Sequence, residues 1–210
     1  MNHLALLGDS IFDNAAYVPG ALAVIDQVNA KLPPGWQASL LAIDGSLACD
    51  VVKQISRLPG SATHLVLSVG GNDALGALAL LYSPTPLPMM NALTMLAEVQ
   101  LKFEAEYSKV IAALMATGKP LLICTIYDKV PGLTQELRSA LSFFNDVIIQ
   151  SGVAKGIPVL DLRAVCTDDA DYSILSPIEP STAGGDKIAE QIVRLVQGHS
   201  FETGVCSIYR

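Results

Sequence analysis

The sequence predicts a parallel α/β sheet covered by helices on both faces. Three observations carry that prediction. Short apolar runs of strand length recur along the chain, helical patterns separate them, and most of the runs stop at a turn of small or polar residues. The first run, Leu4-Ala5-Leu6-Leu7, stops at Gly8-Asp9-Ser10 and continues into Ile11-Phe12-Asp13-Asn14. A run that is apolar at every position, not at alternate ones, suits a strand buried on both faces.

The remaining elements follow in order. Ala21, Leu22, Ile25, Val28 and Leu32 have helical spacing and predict a helix over residues 19–31, stopped by Pro33-Pro34-Gly35. Residues 38–43 read as a second strand ending at Asp44-Gly45-Ser46, and residues 47–58 as a helix closed by Pro59-Gly60. The third strand, residues 64–69, ends at Gly70-Gly71-Asn72-Asp73. The proline-rich stretch 83–88 is either a wall over Ser10, with Leu87, Met89 and Met90 toward a bound ligand, or a plain surface connection. A long helix over 91–117 breaks at Gly118-Lys119-Pro120, before a fourth strand at 121–126. Thr134 is the expected N-cap of a helix over 134–153. A fifth strand at 157–160, a polar loop at 167–176 and a helix over 182–196, capped by Ser181 or Thr182, complete the pattern. With no internal repeat or linker, residues 1–210 read as one domain built on five strands.

Composition agrees with this architecture and removes several function classes. The chain is 51% hydrophobic and 16% charged, with mean hydropathy +0.44, which fits a doubly covered sheet and leaves apolar surface for a homo-oligomer. A formal charge of −7 argues against nucleic acid and anionic membranes as partners. No run approaches the ~18 apolar residues of a membrane span. The N-terminus reads directly as the first strand, with no basic leader, so a cytoplasmic protein is expected. Cys49, Cys124, Cys166 and Cys206 are widely spaced and expected to be reduced and mostly buried, with a Cys166–Cys206 link left open.

In a parallel sheet every strand's C-terminal end lies on one edge, where open α/β sheets bind ligands. Ser10, Gly45 and Asn72 follow three such ends. Singly, each has a plain turn role. Jointly, they match the needs of acyl transfer: a nucleophile, an unobstructed backbone N–H and a side-chain amide donor for an oxyanion.

Gly8-Asp9-Ser10, Gly45 and Gly70-Gly71-Asn72-Asp73 together resemble the SGNH/GDSL hydrolase family, over nearly the whole chain. The resemblance implies a three-layer α/β/α sandwich with a flavodoxin-like sheet and a serine esterase or acylhydrolase activity. It implies Ser10 as nucleophile, and the Ser10 N–H, Gly45 N–H and Asn72 side chain as the oxyanion hole. It also implies a small ester substrate, acetyl or short acyl, and no cofactor or metal.

One signature departs. The family carries Asp-x-x-His before its last helix, and here Ser176 and Glu179 stand at those two positions. His3 and His64 belong to the opposite edge of the sheet, and His199 follows the last helix, so none is placed to act on Ser10. Glu179 is therefore the candidate base, with Ser176 as a candidate orienting residue. A carboxylate starts as a weaker base than imidazole. The apolar neighbours Pro177, Ile178 and Pro180 would raise it by desolvation, and a nearby Asp128, Asp168, Asp169 or Asp171 by repulsion. The alternative is that Glu179 only hydrogen-bonds Ser10, leaving a pocket that binds an acylated or glycosidic ligand. Asp161, Asp168, Asp169 and Asp171 fit no known cation loop and read as a solvated acidic segment.

Overall fold

The computed structural model describes residues 1–78, 82 and 87–210. Its strands are β1 (Asn2–Gly8), β2 (Trp36–Leu40), β3 (His64–Ser68), β4 (Leu121–Cys124), β5 (Val159–Leu160) and β6 (Ile208–Tyr209). All pair in parallel, in the order β2-β1-β3-β4-β5-β6. The chain runs from β1 outward to β2 and then crosses back to β3, so the sheet's switch point lies beside the end of β1.

Among the described residues the sheet has six strands and not the five expected. β6 is two residues long and lies on the sheet's edge, too short to show an alternation in sequence. Pairing makes it a strand: Val159 N–H donates to Ser207 O at 2.9 Å and Asp161 N–H to Tyr209 O at 2.8 Å.

Side chains alternate strictly between two cores. Leu4, Leu6, Val66, Leu122 and Leu160 face one layer, with α1 (Val24–Lys31) and the last helix, α7 (Thr182–Gly198). Ala5, Leu7, Leu65, Leu67, Ile123 and Val159 face the other, with α2 (Val51–Ile55), α4 (Met89–Met115) and α5 (Gln135–Lys155). The short helices α3 (Gly71–Gly76) and α6 (Leu162–Val165) follow β3 and β5 directly. Burial on both faces is what the unbroken apolar runs required.

Boundaries shift where polar groups intervene. α1 begins at Val24 and not near residue 19, because Asn14 Oδ1 accepts from Val24 N–H at 2.9 Å. β2 stops at Leu40, since Leu41 and Ala42 both turn their N–H groups onto Leu6 O, at 2.8 and 2.9 Å. The expected helix over 47–58 divides into a turn at Ala48–Asp50 and α2. Thr134 and Ser181 cap α5 and α7 through their hydroxyls. The acidic segment is not simply solvated: Asp171 is buried and pairs with Lys187 at 2.8 Å, Asp168 shares that lysine, and Asp161 pairs with Arg163. All four cysteines are free thiols. Among the described residues no helix is long and apolar enough to cross a membrane.

Candidate active site

β1 delivers its end to the site through a close backbone approach. Gly8 has φ +128°, and a Cβ there would collide with the Ser68 carbonyl of β3. Buried Gln54 of α2 grips the same residue, accepting from Gly8 N–H and donating to Gly8 O, both at 2.8 Å. Its amide also reaches Ser46 Oγ at 3.3 Å, which ties the turn after β2 to the end of β1. Ser10 follows at once and is only 6% exposed.

Gly45 lies in that turn with φ +76°, a conformation that favours glycine, and its N–H has no partner among the described residues. The Ser10 N–H is likewise free. Asn72, in the first turn of α3, donates to Ser46 O at 3.1 Å and so leans across the same turn. The three strand ends named from sequence are thus joined through Gly8, Gln54 and Ser46.

Glu179 arrives from 169 residues away. Ser10 Oγ donates to its Oε1 at 2.9 Å, and its Oε2 is buried without a partner among the described residues. Backbone contacts hold the segment on every side. Glu179 N–H donates to Ser176 O at 3.0 Å, and Ser173 N–H donates to Glu179 O at 2.8 Å. Tyr127 OH donates to Ile178 O at 2.7 Å, and Asn14 Nδ2 to Pro180 O at 3.1 Å. Ser173 Oγ donates to Tyr17 O at 2.7 Å. Ser176 meets Glu179 through its carbonyl; its hydroxyl has no hydrogen bond among the described residues.

Burial sets the electrostatics. Glu179 is 4% exposed, and desolvation pushes its carboxyl up to about 7; the Ser10 hydrogen bond opposes this and the Asp44 charge adds to it. The repelling charge is Asp44, in the turn after β2, and not Asp128, Asp168, Asp169 or Asp171. Asp44 is held there by Tyr17 OH, which donates to it at 2.8 Å, and by its own N–H, which donates to Asp13 Oδ2 at 2.9 Å. Asp9 is also pushed up to about 7, again mainly by burial, with the Ile11 N–H opposing and the Glu179 and Asp73 charges adding. Two neighbouring carboxyls therefore titrate near neutrality.

None of the three histidines reaches Ser10. His3 begins β1 at the far edge, where it is buried and not surface-exposed, hydrogen-bonded to Ser61 and Ser39 at 2.8 and 2.9 Å. His64 stacks beside Trp36, and His199 hydrogen-bonds Tyr209 at 2.7 Å. Among the described residues no group of three or more His, Cys, Asp or Glu could hold a metal ion.

A cavity of about 140 Å3 begins at Ser10 and Glu179. Val99 of α4, Ile126 and Val130 after β4, and Leu137, Leu141 and Phe144 of α5 are among its lining side chains. Residues 83–86 of the expected wall lie outside the described residues. Leu87, Met89 and Met90 are exposed and do not line the cavity, whereas Leu96 and Val99, about two to three turns further along α4, do.

Comparison with known proteins identifies the family and the fold. The profile of the GDSL-like Lipase/Acylhydrolase family matches residues 6–186. The chain belongs to that family. A lipolytic G-D-S-L family protein from Veillonella parvula has the same fold, with TM-score 0.71 and 13% identity over 95% of this chain and 100% of that one. An acetyl xylan esterase gives 0.69 and 19% over 92% and 99%. Phospholipase A1 from Streptomyces albidoflavus gives 0.65 and 17% over 95% and 99%. No curated protein matches the sequence.

Sequence reasoning missed the groups that position the site. Asn14, Tyr127, Gln54 and Ser173 act on backbone atoms of distant segments. Asn14 alone carried a usable signal, as a polar residue closing the stretch that opens the chain.

Proposed function

We propose that this GDSL-family protein is a serine ester hydrolase working through an acyl-Ser10 intermediate, with Glu179 as the base. The observation that carries this reading is the 2.9 Å hydrogen bond from Ser10 Oγ to Glu179 Oε1, made beside an apolar cavity. Ser10 Oγ attacks the ester carbonyl while Glu179 takes its proton. The developing oxyanion is met by the free N–H groups of Ser10 and Gly45 and by the Asn72 amide. The tetrahedral intermediate collapses, and protonated Glu179 returns its proton to the departing alcohol. Water then attacks the acyl-serine, with Glu179 again as base. A carboxyl held near 7 suits both halves, since it is part ionised and part protonated at neutral pH. The route requires neither metal nor nucleotide.

The test is hydrolysis of 4-nitrophenyl esters between pH 5 and 9 by wild type and Ser10→Ala. Wild-type turnover is expected to rise with pH to a plateau, with its midpoint near 7, and Ser10→Ala to lose about a thousandfold or more. Equal rates for the two proteins sink the proposal. A second reading, a pocket that binds an acylated or glycosidic ligand without turnover, rests on one observation: every histidine is engaged away from Ser10. Ligand binding to wild type with no Ser10-dependent turnover on any ester supports that reading instead.

A further inference from the structure

We infer that the cavity beside Ser10 is an acyl-chain site, and that the substrate is an ester of a linear acid of about six to eight carbons. This rests on the hydrolase reading above and replaces the short acyl group that family resemblance implied. The cavity arises because two helices that pack closely along most of their length part at one end. On α4, Phe103, Tyr107, Val110, Ile111 and Leu114 are buried core. Leu96 and Val99, on the same helical stripe nearer the N-terminus, line the cavity instead. On α5, Val147 and Ile148 are core, Phe144 belongs to both the core and the cavity wall, and Leu137, Ala140 and Leu141 line the cavity.

Both helices begin on the edge of the sheet that carries Ser10, so the gap opens onto the serine. Gln100 and Phe143 also line the cavity, and Gln100 Nε2 of α4 donates to Phe143 O of α5 at 3.4 Å, which joins the two helices there. An empty apolar cavity destabilises a fold in proportion to its volume. A closed apolar cavity of about 150 Å3 admits a benzene, six carbons in all. The volume here, about 140 Å3, is comparable, and its mouth adds room at the carbonyl end. Net charge −7 disfavours an anionic lipid aggregate as the presenting surface, so the ester is expected to be taken from solution.

The experiment compares kcat/KM for 4-nitrophenyl acetate, butyrate, hexanoate, octanoate and palmitate. A buried methylene is worth about 0.8 kcal/mol, so a rise of about three- to fourfold per methylene is expected up to hexanoate or octanoate, with a fall by palmitate. Ala140→Phe, checked for folding by thermal melting, is expected to lower the octanoate-to-acetate ratio at least tenfold. A flat profile with Ser10-dependent acetate turnover overturns the acyl-chain site and leaves the hydrolase reading standing. So does a gain along ethyl to octyl acetate, which would put the alcohol in the cavity, or a benzoyl ester that outruns every alkanoyl ester. If no ester is turned over, the hydrolase reading falls, and calorimetry with hexanoate and octanoate judges the cavity alone. Binding that strengthens with chain length and weakens in Ala140→Phe supports the site; no binding overturns it.

Discussion

Ser10 stands two residues beyond the end of β1, whereas Glu179 stands in a loop far from any strand of its own. The first is placed by a central strand whose neighbours fix it on both sides. The second is placed by hydrogen bonds between its loop and two remote segments, Asn14 and Tyr17 after β1 and Tyr127 after β4, and by the loop's own 173–176 turn. One member of the pair is thus held by regular structure and the other by single side chains. Removing a single side chain should therefore disturb the glutamate more readily than the serine.

Four changes break or sharpen this contrast, in descending order of effect. Glu179→Gln keeps the size and the hydrogen bond to Ser10 but cannot take a proton. It should reduce kcat/KM by about a hundred- to a thousandfold and abolish the rise through pH 7, with the melting temperature little changed. A wild-type pH profile retained in that variant would remove Glu179 from the reaction.

Asn14→Ala leaves the Pro180 carbonyl and the Val24 N–H without partners in a buried place. A loss of about 2–4 kcal/mol in urea unfolding is expected, together with a fall in kcat larger than the change in KM. Unfolding at the wild-type midpoint would show that the loop is held by other means.

Asp9→Asn tests the buried carboxyl itself. A carboxyl whose folded value is raised binds protons more tightly folded than unfolded. Its contribution is fully present below about 4 and is lost as pH rises through about 7. Wild type should therefore lose about 4 kcal/mol between pH 4 and pH 8 that Asp9→Asn does not lose. Parallel stability curves for the two proteins would contradict this.

Tyr127→Phe removes one hydroxyl from the Ile178 carbonyl, which lies in a partly exposed stretch. About 1 kcal/mol and a few-fold loss of turnover are expected. A loss as large as that of Glu179→Gln would make Tyr127 part of the chemistry.

The two helical layers show the same division between close and loose placement. On one face, Gly185 of α7 lies against Gln27 and Val24 of α1 with no room for a side chain, so the layer closes. On the other, α4 and α5 carry leucine and valine at their facing ends and remain apart, leaving a cavity. A helical stripe reads the same in sequence whether its partner touches it or stands off. For that reason the long helices were legible and the cavity between them was not.

Sequence by itself determined strands β1 to β5, most helices with their caps, and the gathering of Ser10, Gly45 and Asn72 on one edge. Those follow from local periodicity, turn residues and the rule that parallel strands end together. Alignment of Glu179 with the last signature also came from sequence, through resemblance. Tertiary structure alone decided that Ser10 and Glu179 meet, that Asp44 and not the acidic segment repels the carboxyl, that Asn14 and Tyr127 hold its loop, and that β6 extends the sheet. Each of these depends on contacts between segments remote along the chain. A raised carboxyl depends further on how much water packing excludes, a property no single segment carries.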